Sequence, residues 1–260
     1  MYNNKVLEKE ENKGISASVL KWIAIITMFI DHFAVNFIDP VFFYGGRVPE
    51  SLIEKGYFLL GIMRGIGRIA FPIFVFLLVE SFFLTSNRMK MCIRFFVFAI
   101  ITEVFFDLSF YNSIFEFTHQ NIYFTLLLGF IAMLICEKIG ENTKITGYSK
   151  IVFKIIVFIA FMFIADFMKT DYGYLGIFAI GAFYFLRDGK RIKRVVATVV
   201  GFSFYLGSFM VIPAYLSSIL MYFYNGKRGK QNKYFFYLFY PVHLIVIFLL
   251  RGMFLGFNLF

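Results

Sequence analysis

The sequence predicts an all-α fold, a polytopic transmembrane bundle of about nine helices with its amino terminus in the cytoplasm. Three observations carry that prediction. First, 60% of the 260 residues are hydrophobic and only 16% are charged, whereas soluble domains carry about 25% charged residues. A soluble fold of this length cannot hide so much apolar surface, so lipid must be part of the solvent. Second, the apolar residues fall in runs of about spanning length. Third, the basic residues cluster between those runs, and the clusters alternate in strength.

Residues 1–17 are polar and of mixed charge and read as a short cytoplasmic tail. They lack the apolar core and small-residue cleavage site of a signal peptide. Residues 18–260 read as one transmembrane domain. The expected spans are 19–38, 67–85, 92–111, 121–137, 151–168, 173–187, 195–211, 212–224 and 234–251. The first is long enough to remain in the membrane, and the segments 173–187 and 212–224 are short. No internal repeat marks an inverted-repeat transporter.

With the amino terminus inside, the cytoplasmic segments 1–21, 86–94, 138–154, 187–194 and 225–233 hold 20 of the 26 Lys and Arg residues. The other six are Arg47, Lys55, Arg64, Arg68, Lys169 and Arg251. That asymmetry fixes the orientation and supports the span count, since a missed helix would scramble it. It also accounts for the formal charge of +10 without nucleic acid, because the basic residues line no single face. Cys92 and Cys136 sit in apolar stretches without metal-ligand or disulfide spacing. They read as small buried residues, so no metal is expected.

Ionisable groups within a span are costly and point to function. Asp31 and His32 lie in the outer half of the first span, and Arg64 and Arg68 precede or open the second. Glu103 and Asp107, four residues apart, share a face of the third. Asn121 and Thr125 repeat that spacing at the start of the fourth, and Asp166 and Asp171 close the fifth. These form a polar layer near the extracytoplasmic face. His243, after Tyr240-Pro241, falls near the middle of the last span, and Glu80 lies toward the cytoplasmic end of the second. If the layer and His243 line one cavity, it runs inward from outside. Basic loops at Arg88, Lys90 and Arg94 and at Lys227, Arg228 and Lys230 would guard its cytoplasmic mouth and hold the phosphates of a charged donor. His119, in an outer loop, reads as solvated. Glu103 and Asp107 have a structural alternative, pairing with Arg64 or Arg68.

These residues resemble those of TraX-like membrane proteins. The resemblance starts at Leu20-Lys21, Met28, Asp31 and His32, and continues through Arg68-Ile69-Ala70-Phe71-Pro72-Ile73-Phe74, Glu80 and Asn87. It extends over Arg94, Glu103, Phe106-Asp107-Leu108, Asn121, Phe124-Thr125-Leu126 and Asp171-Tyr172-Gly173. It ends with Asn225-Gly226-Lys227-Arg228-Gly229 and Tyr240-Pro241-Val242-His243-Leu244. One departure is Val104-Phe105, which follows Glu103 where a proline-containing stretch is expected. The family is named for a conjugation-system protein that N-acetylates pilin and is similar to transmembrane acyltransferases. The resemblance implies acetyl-CoA as donor and a membrane histidine as catalytic centre.

The expected function is therefore transfer of an acetyl group from cytoplasmic acetyl-CoA to an amine or hydroxyl of an extracytoplasmic or membrane-associated peptide, pilin or glycan. The expected location is a bacterial plasma membrane, among lipid. His32 would act as base, with Asp31 or another carboxylate orienting it, and His243 would shuttle a proton or accept the acyl group. Arg68 and Asn121 would stabilise the oxyanion. Glu103 and Asp107 would hold the acceptor, with Tyr240 and Asp171 also on the substrate side. Arg88, Lys90, Arg94, Lys227, Arg228 and Lys230 would hold the donor. A proton-coupled transporter using the same histidines and carboxylates is the rival, favoured by substrate flux without acyl transfer. A non-catalytic scaffold is the third reading, favoured if His32→Ala and Glu103→Ala leave function intact.

Overall fold

The computed structural model describes residues 14–44, 49–208, 210–230 and 232–256. The described chain is a helix bundle. Its only β-pairing among those residues is two isolated bridges, Ile15 with Tyr224 and Gln120 with Thr170. The helices are α1 (Ala17–Phe33), α2 (Glu50–Gly67), α3 (Ala70–Leu84), α4 (Arg88–Tyr111), α5 (Ile122–Glu141), α6 (Tyr148–Phe167), α7 (Gly173–Phe185), α8 (Arg191–Gly201), α9 (Val211–Tyr222) and α10 (Lys233–Leu255). Most of the tail at residues 1–17 and its predicted cytoplasmic placement lie outside the described residues.

Each expected span finds a helix, and the all-α polytopic membrane architecture stands. Among the described residues, four helical stretches are long and apolar enough to cross a bilayer: Ala17–Phe43, Ser51–Leu84, Ile122–Glu141 and Tyr234–Leu255. Helices α4 and α6 have spanning length but carry charged residues such as Arg94, Asp107 and Lys154. Helices α7 and α9 are shorter and apolar. The expected span 195–211 is shortened, because α8 ends at Gly201 and a turn precedes α9. Eleven residues rise about 17 Å, less than a hydrocarbon core of about 30 Å.

One helix was not expected. α2 occupies a stretch in which Glu50, Glu54, Lys55, Arg64 and four glycines dilute the apolar signal. Through Arg68 and Ile69 it runs on into α3, and the two together make one 34-residue apolar length. The first helix is long as well, because α1 continues through π-helical turns at Ala34–Ile38 and Pro40–Tyr44. The two long elements pack against each other, and the additional helix joins α3 in one apolar stretch instead of adding a separate one.

Local chemistry explains the helix ends. Ser16 caps α1 through Val19 N–H, Asn87 caps α4 through Lys90 N–H, and Asn121 caps α5 through Tyr123 N–H. The loop at 225–230 straps the start of α1, because the carbonyls of Lys227 and Arg228 accept from the N–H groups of Ala17 and Ser18. Arg251 on α10 donates to the carbonyls of Leu108 and Ser109 in the last turn of α4, where cations suit the helix terminus. Val104-Phe105 leaves α4 unbroken from Arg88 to Tyr111.

The core contains Leu20, Ile25, Phe76, Phe82, Phe130, Ile180 and Leu244. Along α6, Ile151, Ile155, Ile159, Phe163 and Phe167 stay exposed. So long an apolar strip suits a lipid-facing or interface position, in keeping with a membrane bundle.

Candidate functional site

Asp31 and His32 are consecutive near the end of α1, so their side chains leave the helix about 100° apart and reach different partners. Both Asp31 carboxylate oxygens accept from two guanidiniums. Arg64 Nη1 lies 3.0 Å from each oxygen, and Arg68 Nη2 lies 3.0 and 2.9 Å away. Arg64 and Arg68 are four residues apart at the end of α2 and so present one face. Gly67 permits the approach: a Cβ there would stand within 2.5 Å of Asp31 Cγ and Oδ1. Arg68 is further fixed by donating from Nη1 to the hydroxyls of Tyr172, at 3.2 Å, and Tyr205, at 3.5 Å, and from Nε to the Arg64 carbonyl. Tyr172 holds a left-handed backbone, φ 62°, at the cap of α7. Its ring stacks on Phe71 with centroids 3.7 Å apart. A left-handed conformation is costly for a bulky residue and gathers at functional sites.

His32 faces α10. Its Nδ1 lies 2.7 Å from His243 Nε2, and the rings are nearly coplanar, at 6°, with centroids 5.0 Å apart. His243 Nδ1 in turn lies 2.7 Å from the Phe239 carbonyl oxygen. A carbonyl only accepts, so neutral His243 carries its proton on Nδ1 and offers Nε2 as acceptor. Nδ1 of His32 must then donate, and the lone pair of a neutral His32 resides on Nε2. The geometry alone assigns both tautomers. Phe110 and Tyr240 meet the His32 ring edge-on at 5.6 Å.

A cavity of about 290 Å³ collects these groups, lined among others by Asp31, His32, Arg64, Arg68, His119, Asp171, Tyr172 and Tyr240. His119 Nε2 stands 3.7 Å from Asp171 Oδ1. That contact raises the His119 pKa above its ordinary value, opposed by partial burial. Thr125 Oγ1 donates to the Asp171 carbonyl. The site is thus assembled from α1, α2 and α10, with the loops before α5 and α7.

Residues 16–251 match the family described as TraX protein. The chain belongs to the TraX family. A similar chain is the "Probable fimbrial assembly protein FimC, serogroup H1" of Dichelobacter nodosus, 29% identical over 266 residues, which cover 91% of this chain and 96% of the relative. No solved structure matches the chain.

In this TraX family member, Asp31, His32, Arg68, Asp171 and Tyr240 line one cavity, and His243 stands at hydrogen-bond distance from His32. Asp31 does not orient the imidazole, because two guanidiniums occupy its carboxylate; the orienting group is His243, backed by the Phe239 carbonyl. Glu103 and Asp107 do not line the cavity and do not pair with Arg64 or Arg68. Glu103 Oε2 accepts from the Asn121 backbone N–H and side-chain amide, and Asp107 Oδ2 from Glu116 N–H at 2.8 Å. Asn121 is consumed by that contact, by its donation to the Ala99 carbonyl, and by capping α5. These three residues therefore hold the loop between α4 and α5 and stand outside the cavity lining.

The basic residues expected to bind the donor lie away from the cavity lining. Arg88 donates to the Phe82 carbonyl at 3.2 Å and stands 3.9 Å from Glu137. Lys227, Arg228 and Lys230 serve the strap through their carbonyls. Lys90 follows the Asn87 cap. Arg94 stands 6.0 Å from the Tyr237 ring centroid, and its buried Nε has no hydrogen-bond partner among the described residues. Glu80 does not reach the cavity and pairs with Arg187 at 2.8 Å. Sequence reasoning underrated His119, Arg64 and Tyr172. The four-residue spacing of the arginines was a usable signal, but no local pattern folds the His119 loop back over the cavity.

Proposed function

We propose that this protein transfers an acetyl group from cytoplasmic acetyl-CoA to an amine or hydroxyl of a pilin, peptide or glycan at the far side of a bacterial plasma membrane. The observation that carries the reading is the relay Phe239–His243–His32, which leaves a basic imidazole nitrogen beside a cavity walled by arginines. A neutral imidazole with its tautomer set by a second group is the arrangement of a general base. The relative's name, a fimbrial assembly protein, supports an acceptor of the pilin class.

His32 Nε2 takes the proton from the acceptor as its nitrogen or oxygen attacks the thioester carbonyl. The new N–C or O–C bond forms, the C–S bond breaks, and the proton passes to the thiolate sulfur of CoA. The positive charge that His32 carries in between is shared with His243 through the 2.7 Å bond. Arg64 and Arg68 supply positive potential toward the carbonyl oxygen, while Asp31 holds them in place and limits their net charge.

The cavity suits this chemistry in size. At about 290 Å³ it sits at the lower end of ligand pockets, about 300–1,000 Å³. That is enough for a thioester end and a nucleophile but not for a whole nucleotide carrier. The phosphates would remain at the basic end of the bundle, where the unpartnered Nε of Arg94 offers a donor.

The test is incubation of purified protein in proteoliposomes with radiolabelled acetyl-CoA and peptide amines, with His32→Ala alongside. Saturable donor binding and acceptor labelling that vanish in His32→Ala are expected. Solute flux driven by a proton gradient, without labelling, would establish the transporter instead.

A further inference from the structure

One hydroxyl at the cavity has no assigned work. Tyr240 is 4% exposed and lines the cavity, yet its hydroxyl has no hydrogen-bond partner among the described residues. Of the buried side-chain polar atoms in that condition, it is the one whose residue belongs to the cavity wall. Burying a hydroxyl without a partner costs its full desolvation, and a folded protein that retains one needs a reason.

The neighbouring donors are occupied. Tyr123 packs edge-on against Tyr240 with centroids 5.5 Å apart, and donates its hydroxyl to the Tyr237 carbonyl at 3.2 Å. That carbonyl lies four residues before Pro241, which has no N–H to offer it. Arg68 is engaged by Asp31, Tyr172, Tyr205 and the Arg64 carbonyl. His32 spends Nδ1 on His243. Tyr240 is three residues before His243 on α10, and its ring stands 5.6 Å from that of His32 at 75°. The phenol ring thus packs edge-on beside the base, and its buried hydroxyl has no partner among the described residues.

We propose that Tyr240 is a catalytic residue that donates this hydrogen bond to the carbonyl oxygen of the acyl thioester. The inference rests on the acyl-transfer reading. The bond strengthens as the acceptor attacks and the carbonyl π-electrons move onto oxygen, and relaxes when they return and expel the thiolate. Tyr240 keeps its proton throughout, and the acceptor proton travels through His32. Such a preplaced donor acts where charge develops, so it serves the rate more than binding.

The decisive variant is Tyr240→Phe in the full-length protein, which keeps the ring and its packing on His32 and Tyr123. We expect kcat to fall by about 10²–10³-fold, with both KM values within about threefold of wild type. Thermal stability should hold or rise, because an unsatisfied buried hydroxyl has been removed. A third measurement needs no turnover: the isotope-edited infrared band of a carbonyl-13C ketone analogue of acetyl-CoA. That band should lie lower in the wild-type complex than in the variant. A kcat within about threefold of wild type, an unshifted band, or a lowered melting temperature would each overturn the assignment to Tyr240. If wild type neither turns over nor binds the analogue, acyl transfer itself fails and this inference falls with it. Wild-type turnover with an unaffected variant sinks the role of Tyr240 alone.

Discussion

Gly67→Ala isolates the contact on which the charged half of the site depends. The added methyl would stand within 2.5 Å of Asp31 Cγ and Oδ1, so the carboxylate must leave its fork between Arg64 and Arg68. Two effects compete. Replacing glycine in a helix gains about 0.5–1 kcal/mol of backbone entropy. Separating a buried carboxylate from its partners costs about 3–5 kcal/mol. That range applies because the Asp31 and Arg68 side chains are only 11% and 13% exposed; Arg64, at 32%, contributes less. The loss outweighs the gain, and the net is about 2–4 kcal/mol of destabilisation. For a chain of this size that is a fall in Tm of roughly 4–16 °C.

The internal control is Gly61→Ala on the same helix, where an added Cβ meets nothing within 4 Å. It should leave Tm unchanged or raise it by up to about 4 °C. The assay is thermal unfolding of both variants in one detergent at one scan rate, followed by acetyl transfer in proteoliposomes. Gly67→Ala should lose activity as well as stability, since Asp31 adjoins His32. If the two alanine variants melt together, Gly67 is not what seats Asp31, and the reasoning is wrong.

Two further outcomes follow from the same geometry. His243→Ala removes the acceptor that fixes the His32 tautomer and should lower kcat by about 10²–10⁴-fold. His243→Gln, whose amide oxygen can accept from His32 Nδ1, should recover part of that loss in the same initial-rate assay, and a fully active alanine variant would dismiss the relay. The pair His119–Asp171 should act as a modest pH-dependent clasp on the loop over the cavity. The His119 pKa is raised chiefly by the Asp171 carboxylate 3.7 Å away, so the contribution is complete below the unfolded value of about 6.5 and is lost as pH rises through the folded value. The Tm difference between wild type and His119→Gln should accordingly be larger near pH 5.5 than near pH 9. The partial exposure of both groups keeps the effect small, and a difference that grows with pH would contradict the sign.

Much of the architecture was legible because it rests on one-dimensional quantities. Apolar run length marks spans, and the distribution of Lys and Arg marks alternation. Both survive ignorance of how helices pack. The pattern failed at α2, where the charged residues and glycines that make the site also dilute hydropathy. Arg64 falls before the expected span and Gly67 only at its first position, because charge and glycine depress the apolar signal. Intramembrane cost likewise flagged His32, His243 and Asp31, since a group expensive to bury announces itself by type and position alone.

The sequence by itself determined the fold class and a shortlist of ionisable groups to place. Only the tertiary structure decided who meets whom. Asp31 and His32 are adjacent in sequence yet work apart, because neighbouring helix positions diverge by about 100°. His32 and His243, 211 positions apart, share a hydrogen bond. Glu103, Asp107 and Asn121 had the right residue types at plausible spacing, yet Glu103 Oε2, Asp107 Oδ2 and Asn121 Oδ1 accept from a loop and a helix cap away from the cavity lining. Tyr240 reads from the sequence only as a residue on the substrate side, and packing is what leaves its hydroxyl without a partner among the described residues at the cavity. Hydrogen bonds are directional and short, so their pairing is set by the placement of whole helices, which no local window of sequence contains.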